Sequence, residues 1–153
     1  MNQKWFLRVG TGVPKVEVAN PSQNVKYLLE IVDVAEAKNI SLLAFPELCL
    51  TGYSCRDLFN QEKLLNDSKA ALKQVLNKTK NSDMIIIIGF PLMIRGNLYN
   101  CAAPILNGEI LGVVPKQYLP NYGEFYEKRW FNSERVISEK IPEISFLNSK
   151  VPL

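Results

Sequence analysis

The chain has 153 residues, 47% hydrophobic and 22% charged, with 18 Lys plus Arg against 15 Asp plus Glu and a formal net charge of +3. These are the proportions of one globular domain, not of a disordered chain, and the small, dispersed positive excess argues against a nucleic-acid footprint or a basic membrane-binding helix. Histidine is absent, which removes Ser-His-Asp and Cys-His relays and the usual histidine-rich zinc sites, so no metal site is expected.

In chain order, Trp5 to Gly10 is a short β-prone run followed by the loop Thr11-Gly12-Val13-Pro14. Asn20-Pro21-Ser22-Gln23 is a helix start, with a capping side chain, a proline at the first helical position and a glutamine at the third. Val25, Leu28, Leu29, Val32 and Ala35 then recur at spacings of three and four, which predicts one apolar helix face running to about Asn39. Ser41 to Phe45 is a strand that must end at Pro46, because proline cannot donate to a ladder. Glu47 therefore emerges at a strand's C-terminal end. Gln61 to Lys80, with Leu65, Leu72, Val75 and Leu76 on one side, reads as a second amphipathic helix starting near Asn60.

Met84 to Gly89 contains four consecutive isoleucines without polar alternation, the mark of a buried strand. Leu92 to Ile94, Leu98 to Leu106 and Ile110 to Val114, joined through Arg95-Gly96-Asn97 and Asn107-Gly108, predict consecutive antiparallel strands. The βαβαβ order followed by hairpins implies a mixed sheet with helices on one face. From Pro115 the periodicity is lost in an aromatic-rich loop, and long loops in compact domains are usually functional. Glu124 to Phe131 is a candidate short helix and Ile144 to Leu147 a candidate last strand, with no closing element after it.

Cys49, Cys55 and Cys101 are odd in number, lack CxxC spacing and follow no apolar leader, so they read as free thiols in a reducing cytoplasm. Met84 to Phe90, the most apolar run, is far shorter than the ~20 residues a spanning helix needs. The candidate chemistry lies in Glu47 and Lys116, each following an apolar strand that ends in proline. Strand C-terminal ends are where active sites gather in open α/β sheets. A carboxylate beside an ammonium can hold and relay a proton while the ammonium stabilises a thiolate or oxyanion. The alternative for each is a solvated charge capping a strand.

Phe45-Pro46-Glu47-Leu48, the run Leu50 to Phe59, and Gly112-Val113-Val114-Pro115-Lys116 resemble motifs of the nitrilase superfamily. Tyr99 to Ala103 and KQYLPNYGEFYEKRWF, from Lys116 to Phe131, resemble more narrowly the glutaminase domain of the glutamine-dependent NAD synthetases. The resemblance implies an α/β fold, the nitrilase-like α-β-β-α sandwich with mixed sheets, of which residues 1–153 would form an N-terminal portion. It also implies a Glu-Lys-Cys triad that hydrolyses glutamine and passes ammonia to a separate synthetase domain, where ATP and Mg serve the conversion of deamido-NAD to NAD. No cofactor is implied for this chain itself.

Residue by residue, the resemblance puts Glu47 at the general base and Lys116 at the supporting lysine. Tyr53 and Tyr122 fall at glutamine-pocket positions, and Glu124 or Glu127 at an additional glutamate. Spacing to Lys116 favours Glu124, whose alternative is an exposed loop acid. The nucleophile is expected beyond Leu153, and none of the three cysteines matches it. The expected partners are glutamine, the synthetase domain and further copies in a homo-oligomer. Two rival readings are another carbon-nitrogen hydrolase acting on a different amide, and a non-catalytic scaffold of the same fold.

Overall fold

The computed structural model describes residues 6–133, 142–147 and 149–153. Strand β1 (Val9–Thr11) leads to helix α1 (Pro21–Ala37), strand β2 (Leu42–Ala44), a 3-10 segment (Tyr53–Asn60) and helix α2 (Glu62–Lys78). Strands β3 (Ile85–Ile94), β4 (Asn97–Leu106), β5 (Glu109–Ile110) and β6 (Val114–Pro115) follow, then a 3-10 turn (Glu127–Arg129) and strands β7 (Glu143–Phe146) and β8 (Ser149–Pro152). Trp5, where the first strand was expected to begin, lies outside the described residues.

The main sheet runs β1-β2-β3-β4, with β5 and β6 both on the far edge of β4. The first two pairings are parallel and the rest antiparallel. Helix α1 begins as its sequence requires: the Asn20 side chain accepts from the Gln23 N–H at 3.3 Å and proline opens the first turn. Leu43, Ile86, Ile88, Phe90, Ala103 and Ile105 alternate onto one sheet face, where they share a core with Val25, Leu28 and Val32 of α1 and Ala71, Leu72 and Val75 of α2. The other face carries Leu42, Ala44, Ile85, Ile87, Ala102 and Pro104, all only half-buried. The described residues thus form one helix layer on one mixed six-stranded sheet, with β7 and β8 as a separate two-stranded sheet.

Three strands differ from the sequence expectation. The separate runs Met84 to Gly89 and Leu92 to Ile94 are one ten-residue strand with Pro91 inside it. Pro91 lies opposite Asn100, and the Asn100 carbonyl accepts from the Lys116 N–H at 2.7 Å on its other side. The Pro91–Asn100 pair is therefore not hydrogen-bonded across the β3–β4 ladder, and β2 has already ended beside it, so no N–H is needed there. Ile110 to Val114, expected as one strand, is split. Ala103 and Pro104 of β4 face Leu111, Gly112 and Val113, a one-residue bulge between the Ile105–Ile110 and Ala102–Val114 pairs. Because side chains alternate with period two, the bulge exchanges the faces of everything beyond it. Finally, a closing strand exists: β8 pairs with β7, and the Pro152 carbonyl accepts from the Val113 N–H at 2.9 Å.

Gly89 fixes where the chain crosses the sheet. A Cβ there would stand 2.6 Å from Glu47 Cα, from the Leu48 nitrogen and from the Pro46 carbonyl oxygen, all backbone atoms. Only a bare Cα lets the 46–48 segment lie on β3. Gly89→Ala is expected to destabilise the chain by about 1–3 kcal/mol in denaturant unfolding. Gly10→Ala, whose new Cβ would meet nothing nearer than 3.5 Å, is expected to change it by no more than ~0.5 kcal/mol.

Candidate active site

Glu47 leaves β2 through Pro46, and the chain then turns tightly: the Gly52 N–H donates to the Leu48 carbonyl at 2.7 Å. This seats Glu47 on the open face of the sheet above Gly89. Lys116 reaches the same face because of the bulge, which places it across from Asn100 rather than toward the helices. Its ammonium donates to Glu47 Oε2 at 2.8 Å, and Asn100 Nδ2 donates to the same oxygen at 2.8 Å. The ammonium also donates to Glu127 Oε1 at 3.0 Å, which accepts in turn from the Tyr53 hydroxyl at 2.8 Å. An open cavity of about 500 Å³ adjoins the cluster, lined by Phe45, Glu47, Ile87, Gly89, Asn100 and Lys116 among others.

The two carboxylates differ in setting. The Glu47 side chain is 45% exposed and faces the cavity, whereas Glu127 is 1% exposed. Among the described residues, Glu127 Oε2 has no hydrogen-bond partner. Burial alone would pull the Lys116 pKa down, but its hydrogen bonds to the Glu47 and Glu127 carboxylates outweigh it and raise it above the ordinary lysine value. Burial, followed by the hydrogen bond to Glu127, pushes the Tyr53 phenol up, because a tyrosinate there would face a carboxylate. The cluster therefore holds a fixed cation next to a carboxylate that can accept a proton.

The five residues singled out from sequence are not all brought together. Glu47, Lys116 and Tyr53 join one network. Glu124 does not: the carboxylate against Lys116 is Glu127, contrary to the preference drawn from spacing. The expected helix from Glu124 to Phe131 is only the single turn Glu127–Arg129, with the Glu127 N–H donating to the Pro120 carbonyl at 3.1 Å. Glu124 instead borders a smaller cavity of about 230 Å³ with Tyr53, Ser54, Arg56, Phe125, Tyr126 and Trp130. Tyr122 is 73% exposed and meets the edge of Phe125, which in turn meets Tyr53. Asn100 was not singled out; its signal was a lone amide in the apolar run Leu98 to Leu106, and it is 3% exposed.

None of the cysteines is placed as a nucleophile. Cys49 donates to the Gly89 carbonyl, and burial pushes its thiol up to about 12. Cys55 donates to the Thr51 and Gly52 carbonyls and is likewise raised by burial. Cys101 borders the cavity through β4, but it pairs with Phe90 on the helix side, is 2% exposed, and is raised furthest by burial. A thiol so held stays protonated at neutral pH and is inert.

Residues 9–148 match the family model of the carbon-nitrogen hydrolases. The chain belongs to that family. It is 36% identical over 127 residues to the glutamine-dependent NAD(+) synthetase of Mycobacterium tuberculosis, a match that covers 83% of this chain and 19% of the relative. The synthetase of the same name from Thermotoga maritima is 38% identical over 122 residues, covering 79% and 21%. The chain thus spans about a fifth of the length of these relatives. A solved glutamine-dependent NAD(+) synthetase from Cytophaga hutchinsonii superposes with a TM-score of 0.86 at 29% identity, over 95% of this chain and 24% of that one. An amidase from Nesterenkonia sp. shares the fold, with a TM-score of 0.67 at 18% identity over 88% of this chain and 49% of that one. The fold expected from the sequence motifs, nitrilase-like with a mixed sheet, is the fold found.

If two carboxylates hold the Lys116 ammonium, removing one must ease its deprotonation. Lysine side-chain NMR of the folded chain is expected to show Lys116 titrating above the ordinary lysine value, and Glu47→Gln to lower its midpoint by ~1 pH unit. Because the folded value is raised, this stabilisation is complete below the unfolded lysine pKa of about 10.4 and is lost as pH rises through the folded value. An unmoved midpoint in Glu47→Gln would remove the ion pair from the solution structure.

Proposed function

We propose that this chain is the N-terminal part of the glutaminase unit of a glutamine-dependent NAD synthetase, in which Glu47 and Lys116 work on the glutamine side-chain amide. The observation that carries the reading is the Lys116 ammonium held between the cavity-facing Glu47 and the buried Glu127. Likeness to the named synthetases over more than three quarters of the chain supports that substrate over another amide. A non-catalytic scaffold has less support, since nothing in packing alone rewards a buried carboxylate with an oxygen that has no partner among the described residues.

In this reading a thiol supplied by the part of the relatives' length outside the match attacks the glutamine amide carbon, and Glu47 takes the thiol proton. The amide oxygen gathers negative charge as the tetrahedral adduct forms, and the Lys116 ammonium faces it. Collapse breaks the carbon–nitrogen bond, with Glu47 returning the proton to the departing ammonia. Water then releases glutamate from the thioester by the same groups. Asn100 and Tyr53 hold the two carboxylates in place, and Tyr122 belongs to the rim of the glutamine pocket. Glu124, on the wall of the smaller cavity, keeps at most a part in substrate contact.

ATP and Mg belong, in this proposal, to the synthetase portion, and no step above runs through them. Among the described residues, no group of three His, Cys, Asp or Glu is placed to hold a metal ion. A cytoplasmic setting and assembly into a homo-oligomer complete the proposal. Among the described residues, no helix is long and apolar enough to cross a membrane.

Two measurements test the reading. The purified chain alone is expected to release no ammonia from glutamine, because neither Glu47 nor Lys116 replaces a thiolate. Turnover that Cys49→Ala or Cys101→Ala abolishes would expose a wrongly dismissed nucleophile. In a synthetase carrying this chain at its N-terminus, Lys116→Ala and Tyr53→Phe should lower glutamine-driven NAD synthesis and leave ammonia-driven synthesis intact. Loss of the Tyr53 hydroxyl, which serves a charged partner, should cost ~1.5–3 kcal/mol of transition-state stabilisation. Equal loss with both nitrogen sources would overturn the assignment of these residues to glutamine chemistry.

A further inference from the structure

Glu127 sits in a three-residue 3-10 turn, which is too short to hold a side chain by its own backbone ladder. Yet its carboxylate is buried, with one oxygen shared by Lys116 and Tyr53 and the other unpartnered among the described residues. A carboxylate in that state gains by swinging out to water unless its turn is held. The hold is visible two and three residues further along. Asp57 Oδ1 accepts from Arg129 Nε at 2.8 Å and from Trp130 Nε1 at 2.9 Å, while Oδ2 accepts from Arg129 Nη2 at 2.9 Å.

An exposed ion pair contributes little by itself. A two-pronged guanidinium fork with an indole donor on the same carboxylate, however, fixes direction as well as distance. The clamp joins the same two segments as the Tyr53–Glu127 bond, since Tyr53 and Asp57 share one 3-10 segment. Arg56, immediately before Asp57, has φ of 53° and ψ of −134°, a conformation that persists only where surrounding contacts impose it. Trp130 also packs on Tyr126 and Phe59, and Phe131 on Phe59, so the turn is stapled on its apolar side too.

We infer that Asp57 is a positioning residue: by gripping Arg129 and Trp130 it keeps the Glu127 carboxylate on Lys116 and Tyr53. The inference rests on the proposed site but is tested without activity. With tyrosines labelled at Cζ, the Tyr53 NMR signal is assigned by its loss in Tyr53→Phe and followed against pH in the full chain. The charged and titratable groups around Tyr53 are Glu127, Glu47 and Tyr126, the Lys116 ammonium on the shared Glu127 oxygen, and Arg56 and Glu124 of the adjoining small cavity. Asp57→Asn is expected to lower the Tyr53 midpoint by roughly one pH unit, with the amide spectrum of the rest of the chain unchanged. Trp130→Phe, which removes the indole N–H together with part of the ring but leaves the Arg129 fork in place, should lower it less.

Arg129→Gln separates positioning from a simple field effect. Removing a positive charge raises a nearby phenol's midpoint by field alone, whereas releasing Glu127 lowers it. A fall in Arg129→Gln is the expected result. A rise there, or a Tyr53 midpoint unmoved in both Asp57→Asn and Trp130→Phe, would overturn the inference. So would an equal fall in Asp67→Asn, which breaks an exposed pair with Lys63 elsewhere. If wild-type Tyr53 titrates like an ordinary tyrosine, the Tyr53–Glu127 bond fails and the inference with it, whereas the site reading falls only if the Lys116 midpoint is unmoved in Glu47→Gln. The two failures are thereby told apart.

Discussion

A single ammonium group, Lys116 Nζ, ties together three parts of the chain that are otherwise far apart in sequence: the end of β2, the end of β6 and the aromatic segment around Glu127. Each carboxylate it meets would be harder to hold in place without it. Glu127 is too buried to stand as a lone anion, and Glu47 would be a mobile strand-end acid. The lysine is constrained in return. Two acceptors hold its ammonium at the cavity wall.

The sheet places that lysine through two small departures from regularity. The one-residue bulge between β5 and β6 turns Lys116 away from the helix layer and onto the open face. Gly89, by leaving out a Cβ, lets the Glu47 segment lie on the same face close enough to reach it. Pro91 fits beside them because the ladder there needs no donor, and that same register leaves the Asn100 carbonyl free for the Lys116 N–H. Both departures put the charged cluster on a sheet face that the helices do not cover.

The cysteines follow the opposite logic. Each lies where burial suppresses the thiolate, so their roles are in packing. The helix-side core takes Cys49 and Cys101 as small apolar groups, and Cys55 joins the separate cluster around Phe59 and Phe131. That second cluster carries the turn bearing Glu127, which links packing beneath the aromatic segment to electrostatics above the sheet.

Much of this molecule was legible from sequence because it is local. The Asn20-Pro21 start, the spacing of Val25, Leu28 and Val32, and the isoleucine run each act over a few residues, through capping, periodicity and β-branching. Pro46 and Pro115 mark where strands stop, so Glu47 and Lys116 were recognisable as strand-end charges, and the motifs around them carried the family. What remained depended on contacts between distant residues. The bulge exists only relative to β4, β8 only relative to β7, and the burial of Asn100 only once Glu47 arrives above it. Glu124 and Glu127 are indistinguishable as letters in a loop; the turn closed by the Pro120 carbonyl, on a floor of Phe59 and Phe131, decides that Glu127 meets Lys116. Local patterning thus determined the elements and the charged strand ends. The non-local packing of two aromatic segments decided which carboxylate completes the site, because burial, unlike periodicity, is a property of the folded chain.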